Sequence, residues 1–172
     1  MIMLTLTHYP KYYDLDYYSA TFKSLFIPLV HIMHENIRST RGNFDDLKAL
    51  ITTLSSQPDL IAVSDTWLTE NTTFSYQLEG YGSLHMVRTA RDHGGVSIYV
   101  RNTYQSNSIH ELSFLNNTID ICTVQVTLFN HIFTVSAIYR RHTKYKDMDN
   151  FIDVICVILN NSFHKNTNSV LL

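Results

Sequence analysis

Pro58-Asp59-Leu60-Ile61-Ala62-Val63-Ser64-Asp65-Thr66-Trp67-Leu68 is the stretch that decides the fold. Residues 60–63 are apolar without a break. A half-exposed strand alternates, so an unbroken short run is expected of a strand covered on both faces. The run then gives way to Ser64-Asp65-Thr66. In layered α/β proteins such strand ends carry sites, because the scaffold fixes them and solvent reaches them. His34-Glu35-Asn36-Ile37-Arg38-Ser39 repeats the pattern after a strand predicted over residues 27–34.

Between these two strands, Asn43 is a suitable helix cap, with Asp45 and Asp46 in the first turn where the helix dipole favours carboxylates. Phe44, Leu47, Leu50, Ile51 and Leu54 follow at helical spacing, and Ser55-Ser56-Gln57-Pro58 stops the helix. Beyond Trp67, Gly94-Gly95 introduces a strand over residues 96–100. Residues 119–128 and 132–139 form a predicted hairpin that turns at Asn130-His131. A second helix opens at Asp147 or Asp149, with Met148, Phe151, Ile152, Ile155, Ile158 and Leu159 as its apolar stripe. Val170-Leu171-Leu172 starts another buried strand. Strands of this kind with helices on the outer faces imply an α+β layered sandwich. Residues 1–25, rich in Tyr and without period, are expected to be a leader or linker, and residues 26–172 the domain. The unfinished last strand predicts a domain that is incomplete at its C-terminus.

Composition narrows the function classes. The chain has 172 residues, 45% of them hydrophobic and 16% charged, which suits a packed domain and excludes disorder. A net charge of −2 excludes global attraction to a polyanion, so contact with nucleic acid falls to a local basic patch or a bound metal. The densest basic stretch is Arg140, Arg141, His142, Lys144 and Lys146. It suits a solvated loop, and it also suits contact with phosphates. Arg38, Arg41, Arg88 and Arg91 extend the candidate patch. Cys122 and Cys156 sit in apolar runs and read as small buried hydrophobes in a reducing, intracellular setting. No segment is long and apolar enough to cross a membrane.

Asp65 offers hard oxygen ligands of the type Mg²⁺ prefers, and Asn36 offers an amide oxygen for a metal or a phosphate. On spacing alone Asn36 also suits a plain turn and Asp65 a plain cap. Trp67 is expected to pack in support of the site rather than to serve as a base-stacking platform, and His93 to be a surface residue beside Gly94-Gly95.

Asn36-Ile37-Arg38-Ser39 and the 58–68 stretch resemble the first two motifs of the endonuclease/exonuclease/phosphatase superfamily. Among its branches they are most similar to the endonuclease domain of non-LTR (LINE-type) retrotransposon polyproteins. The likeness continues through Gly80-Tyr81, Arg88, Gly94-Gly95-Val96-Ser97-Ile98-Tyr99-Val100 and Ile138-Tyr139-Arg140, in the family's order. The resemblance implies a DNase I-like four-layer α/β/β/α sandwich of two mixed sheets. It implies Mg²⁺, or Mn²⁺ in its place, and water attack on a phosphodiester of DNA, the nick that primes reverse transcription. Nuclear access is expected for the intact element. By position, Asn36 orients phosphate and metal ligands, Asp65 stands where the family has its metal-binding glutamate, and Tyr139 touches the scissile phosphate. Arg38, Arg140 and Arg141 are the candidate contacts to the DNA backbone.

Two departures limit the expectation. Asp65 is one methylene, about 1.5 Å, shorter than glutamate, and a misplacement of about 1 Å costs on the order of 100-fold in rate. The family's Gly-Asp-Phe-Asn motif would follow Leu172, and its Ser-Asp-His motif would lie further on. The chain as it stands is therefore expected to be an inactive fragment of such a nuclease. The alternatives are a decayed copy with at most a binding role, and a branch acting on other phosphoesters.

Overall fold

The computed structural model describes residues 2–6, 11–13, 30–89, 93–141, 148–164 and 168–172, and side chains only within 30–89, 93–141, 151–160 and 170–172. Two mixed sheets lie face to face. The first has six strands in the order β2-β1-β3-β4-β6-β5: β1 (Ile2–Leu6), β2 (Lys11–Tyr13), β3 (Val30–Asn36), β4 (Leu60–Ser64), β5 (Tyr81–Met86) and β6 (Val96–Arg101). β3 and β4 are parallel, and the other pairings are antiparallel. The second sheet runs β11-β10-β9-β7, with β8 also on β9: β7 (Gln105–Ser108), β8 (Phe114–Leu115), β9 (Ile119–Leu128), β10 (His131–Arg140) and β11 (Asn168–Leu171). Helix α1 (Thr40–Thr53) covers the outer face of the first sheet and α2 (Met148–His164) that of the second.

The alternation of side chains across each strand builds the layers. Ile32, Leu60, Ala62, Val96 and Ile98 face inward from the first sheet, against Cys122, Val124, Val126, Val135 and Ala137 from the second. The opposite parity of the first sheet, Met33, Ile61, Val63 and Tyr99, packs on Phe44, Leu47 and Ile51 of α1. Ile119, Ile121 and Ile138 meet Phe151, Val154 and Ile158 of α2. The expected four-layer sandwich is thus present, and β4 is buried along its whole length as its unbroken apolar run requires.

Several local expectations move. Helix α1 begins at Thr40, a turn before Asn43. Arg38 and Ser39 turn the chain out of β3 with φ of 45° and 87°. From inside the helix Asn43 Nδ2 donates back to the Ile37 carbonyl at 2.8 Å and the Arg38 carbonyl at 3.2 Å, so it staples the turn instead of capping the helix. The β9–β10 hairpin turns at Phe129-Asn130, both left-handed at φ 49° and 65°, as a two-residue hairpin loop demands. On α2 Ile152 is exposed, and so is Cys156, because the buried face runs through Phe151, Val154 and Ile158. Cys122 is buried, and burial pushes its thiol up to about 12. Within the segment read as a leader, residues 2–6 and 11–13 are strands, β1 pairing with both β2 and β3. Residues 27–29, the basic residues 91, 142, 144 and 146, and residue 147 lie outside the described residues.

Candidate functional site

β3 and β4 run parallel and end together, while β10 ends beside the start of β9. These ends meet at one rim of the sandwich and enclose an open cleft of about 560 Å³ lined by Asn36, Arg38, Asp65, His93, Asn117, Tyr139 and Arg141. The two segments picked out as strand ends are laced together by backbone. Ser39 N–H donates to the Asp65 carbonyl at 2.9 Å, and Thr40 N–H to the Thr66 carbonyl at 2.9 Å. The turn after β4 is as tight as the one after β3, with Asp65 and Trp67 at φ 58° and 53°. Non-glycine residues seldom hold this conformation unless their surroundings fix it, and such strain gathers at functional sites.

Asp65 is the buried carboxylate of the cleft lining. It is 8% exposed, and its Oδ1 accepts from Trp67 Nε1 at 2.8 Å and from the Gly94 N–H at 2.9 Å. Tyr139 lines the same cleft, and burial first, then the neighbouring Asp65, raises the phenol above its ordinary value. Tyr139 therefore enters the cleft as a protonated donor. His34 shares strand parity with the inward-facing Ile32 of β3 and lies 3.3 Å from Ser64 Oγ, and burial lowers its pKa. It is neutral at pH 7.

A second carboxylate stands behind the first. Asp120, fully buried, pairs with the Arg88 guanidinium, and its Oδ2 accepts from the Gly95 N–H at 2.6 Å. Arg88 also donates to the Asn116 carbonyl at 2.6 Å. Gly94 and Gly95 thread between the two carboxylates with φ of 106° and 82°. A Cβ on Gly94 would overlap Asp120 Oδ2, and one on Gly95 would stand 2.7 Å from Thr66 Oγ1, so both positions demand glycine.

Of the site residues expected from sequence, the fold brings Asn36, Asp65, Tyr139, Arg38 and Arg141 to one cleft. Arg140 is on the opposite face of β10, its guanidinium 5.9 Å from the Phe151 ring centroid. Arg88, read as part of a basic patch, is spent on Asp120. Trp67 is 38% exposed instead of packed, and His93 meets it edge to face at 4.4 Å between centroids. Asp120 escaped the sequence reading, though its signal was present. It shares parity with Cys122, Val124 and Val126 on the inward face of β9, and a carboxylate there needs a buried partner.

A divalent cation of the Mg²⁺ type takes oxygen ligands and keeps several waters, often on one or two carboxylates plus a phosphate. Asp65 and Asn36 fit it in kind, one carboxylate and one amide facing the same cleft. They leave most positions to water and substrate, and among the described residues no three His, Cys, Asp or Glu side chains converge.

No protein-family model and no curated protein matches this chain. Solved structures do. A humanized D. rerio TDP2 superposes with a TM-score of 0.56 at 14% identity, over 81% of this chain and 62% of that one. The Neisseria 3′ phosphatase NExo, bound to a product DNA hairpin, gives 0.58 at 14% identity, over 82% and 55%. The endonuclease domain of TRAS1, a telomere-specific non-LTR retrotransposon, gives 0.51 at 9% identity, over 76% and 52%. The chain thus spans between about half and three fifths of the lengths of these structures. Two mixed sheets between helices, superposing on these structures, give the chain the DNase I-like fold.

Proposed function

We propose that this chain is part of a DNA-directed phosphodiesterase domain of the retrotransposon-endonuclease type, which holds the DNA backbone in the Asn36–Asp65–Tyr139 cleft and, as it stands, cleaves it slowly if at all. One observation carries the reading: Asn36, Arg38, Asp65, Tyr139 and Arg141, drawn from three separate stretches of sequence, line a single open cleft. Arg38 and Arg141 supply positive charge for phosphate oxygens. The Tyr139 hydroxyl and the Asn36 amide supply donors that orient the phosphate. Mg²⁺ or Mn²⁺ on Asp65 and Asn36 would supply charge to stabilise the phosphoryl oxygens and the leaving oxygen. The low turnover follows from Asp65 itself. It is a short carboxylate, and its Oδ1 is already held by Trp67 and Gly94.

Supercoiled plasmid incubated with Mg²⁺ or with EDTA, alongside a band-shift assay, tests this. The expected result is DNA binding that Asn36→Ala weakens, with metal-dependent nicking at or just above background. A second reading, hydrolysis of small phosphomonoesters, draws support from the 3′ phosphatase NExo and from a Bacteroides thetaiotaomicron mannosyl-6-phosphatase, which matches with a TM-score of 0.58 at 11% identity. Rapid release of phosphate from such esters, without plasmid binding, would favour it and end the DNA reading.

A further inference from the structure

Beside the cleft lies a second cavity, of about 290 Å³, walled by Ser39, Arg41, Trp67, Thr72, Tyr76 and His93 among others. His93 lines both cavities, so they adjoin. Their linings differ in kind. The cleft presents amide, carboxylate, phenol and guanidinium groups. The second cavity presents three aromatic rings, one guanidinium and hydroxyls, the set that receives a flat heteroaromatic ring by stacking and a few hydrogen bonds.

Trp67 is the reason to take this wall as a receptor. A tryptophan 38% exposed at the end of a buried strand forgoes burial that would stabilise the fold. It is held there on purpose. Its Nε1 is fixed to Asp65 Oδ1 at 2.8 Å, its backbone is left-handed at φ 53°, and its N–H donates to the Gly94 carbonyl at 2.8 Å. The His93 ring, perpendicular to it at 89°, closes one edge. Four of the six left-handed non-glycine residues among the described ones, Arg38, Ser39, Asp65 and Trp67, line the two cavities. The same carboxylate that marks the phosphate cleft thus orients the aromatic wall next to it.

We infer that the cavity at Trp67 is a nucleobase subsite, which stacks an unpaired base of the strand whose phosphate occupies the adjoining cleft. This rests on the reading of that cleft as a phosphate site. It adds that the strand is gripped by base as well as backbone, so binding favours single-stranded or locally opened DNA.

Trp67 is the single tryptophan of the sequence, so its fluorescence reports on this wall alone. The full chain is titrated with a labelled single-stranded oligonucleotide and with a fully abasic strand of equal length. Anisotropy of the label measures binding, and Trp67 emission measures stacking. The base-bearing strand should bind about tenfold more tightly, from the usual value of one stacked base, and quench Trp67, while the abasic strand binds through phosphates without quenching. Arg41→Ala should weaken the base-bearing strand about threefold more than it weakens the abasic one. Equal affinity and equal emission for the two strands would overturn the subsite and leave the phosphate cleft standing. Should neither strand bind, the DNA reading of the cleft fails, and deoxyadenosine monophosphate against ribose 5-phosphate decides the subsite: quenching by the nucleotide alone retains it, and no quenching removes it.

Discussion

Gly94 shows how little freedom single positions have at this site. Its N–H binds one carboxylate, Asp65, and its Cα faces the other, Asp120, which pairs with Arg88. Gly94→Ala adds a methyl group where Asp120 Oδ2 sits and forces alanine to φ 106°. The substitution is expected to cost at least about 2 kcal/mol, by clash and by backbone strain together. Urea unfolding against wild type measures it, and a change under about 0.5 kcal/mol would show that the two carboxylates are not held through this residue. Asp65 gives the chemical counterpart. Asp65→Glu restores the reach that the family resemblance implies, and Mn²⁺ binding followed by electron paramagnetic resonance should tighten several-fold. Binding no tighter than wild type would sink Asp65 as a metal position, independently of any cleavage assay.

Among the elements, the β5–β6 pair carries a titratable group in an unusual state. His85 stands between Ser97 Oγ at 2.8 Å and Ser83 Oγ at 3.0 Å and meets the Tyr99 ring edge to face. Burial lowers its pKa to about 4. In the unfolded chain the ring protonates near its ordinary value of 6.5. The folded state is therefore favoured fully above pH 6.5, and that advantage is lost as pH falls from there towards 4. Between pH 7 and pH 5 the wild type should lose on the order of 1–2 kcal/mol that His85→Gln does not. Denaturant unfolding of both proteins at the two pH values tests it. Parallel losses would mean that other groups govern the acid limb. The far end of β4 is pinned in a separate way. Asp59 accepts from the His31 N–H at 2.8 Å and from Tyr104 Oη at 3.0 Å, and burial first, then Asp59, pushes the Tyr104 phenol up to about 12. Both ends of the buried strand are thus fixed by a carboxylate, Asp59 at its start and Asp65 at its finish.

At the scale of the whole molecule, a net charge of −2 leaves the proposed DNA binding to local geometry. Arg38 and Arg141 are the arginines that line the cleft. Release of counterions by two such contacts gives log K against log [salt] a slope of about −2. Anisotropy of a labelled duplex over a salt series measures this directly, and a slope near zero would argue against a phosphate-binding cleft. Arg38→Ala with Arg141→Ala should flatten the slope. Arg140→Ala should leave it unchanged, because that side chain lies over Phe151 on the α2 side of the second sheet.

The local chemistry of this protein was legible in the sequence. The unbroken apolar run at 60–63 announced a strand covered on both faces, and β4 is buried at every position. The helical spacing from Phe44 to Leu54 announced α1, and the polar residues after each apolar run announced where β3 and β4 end. Periodicity could do this because the period of 2 or 3.6 is fixed by backbone geometry and survives in any surroundings. Tertiary structure alone decided what depends on distance. Arg88 was one more cation in the chain until the fold set it against Asp120, 32 residues away. Arg140 and Arg141 are neighbours in sequence, yet the first lies over Phe151 at the end of β10 and the second lines the cleft just beyond it. Trp67 read as a packing residue, since its composition carries no sign of the Asp65 bond and the left-handed turn that hold it at the surface. A sequence specifies which groups are present and how each local segment repeats. Which groups meet is settled only when two sheets, distant along the chain, close on one core.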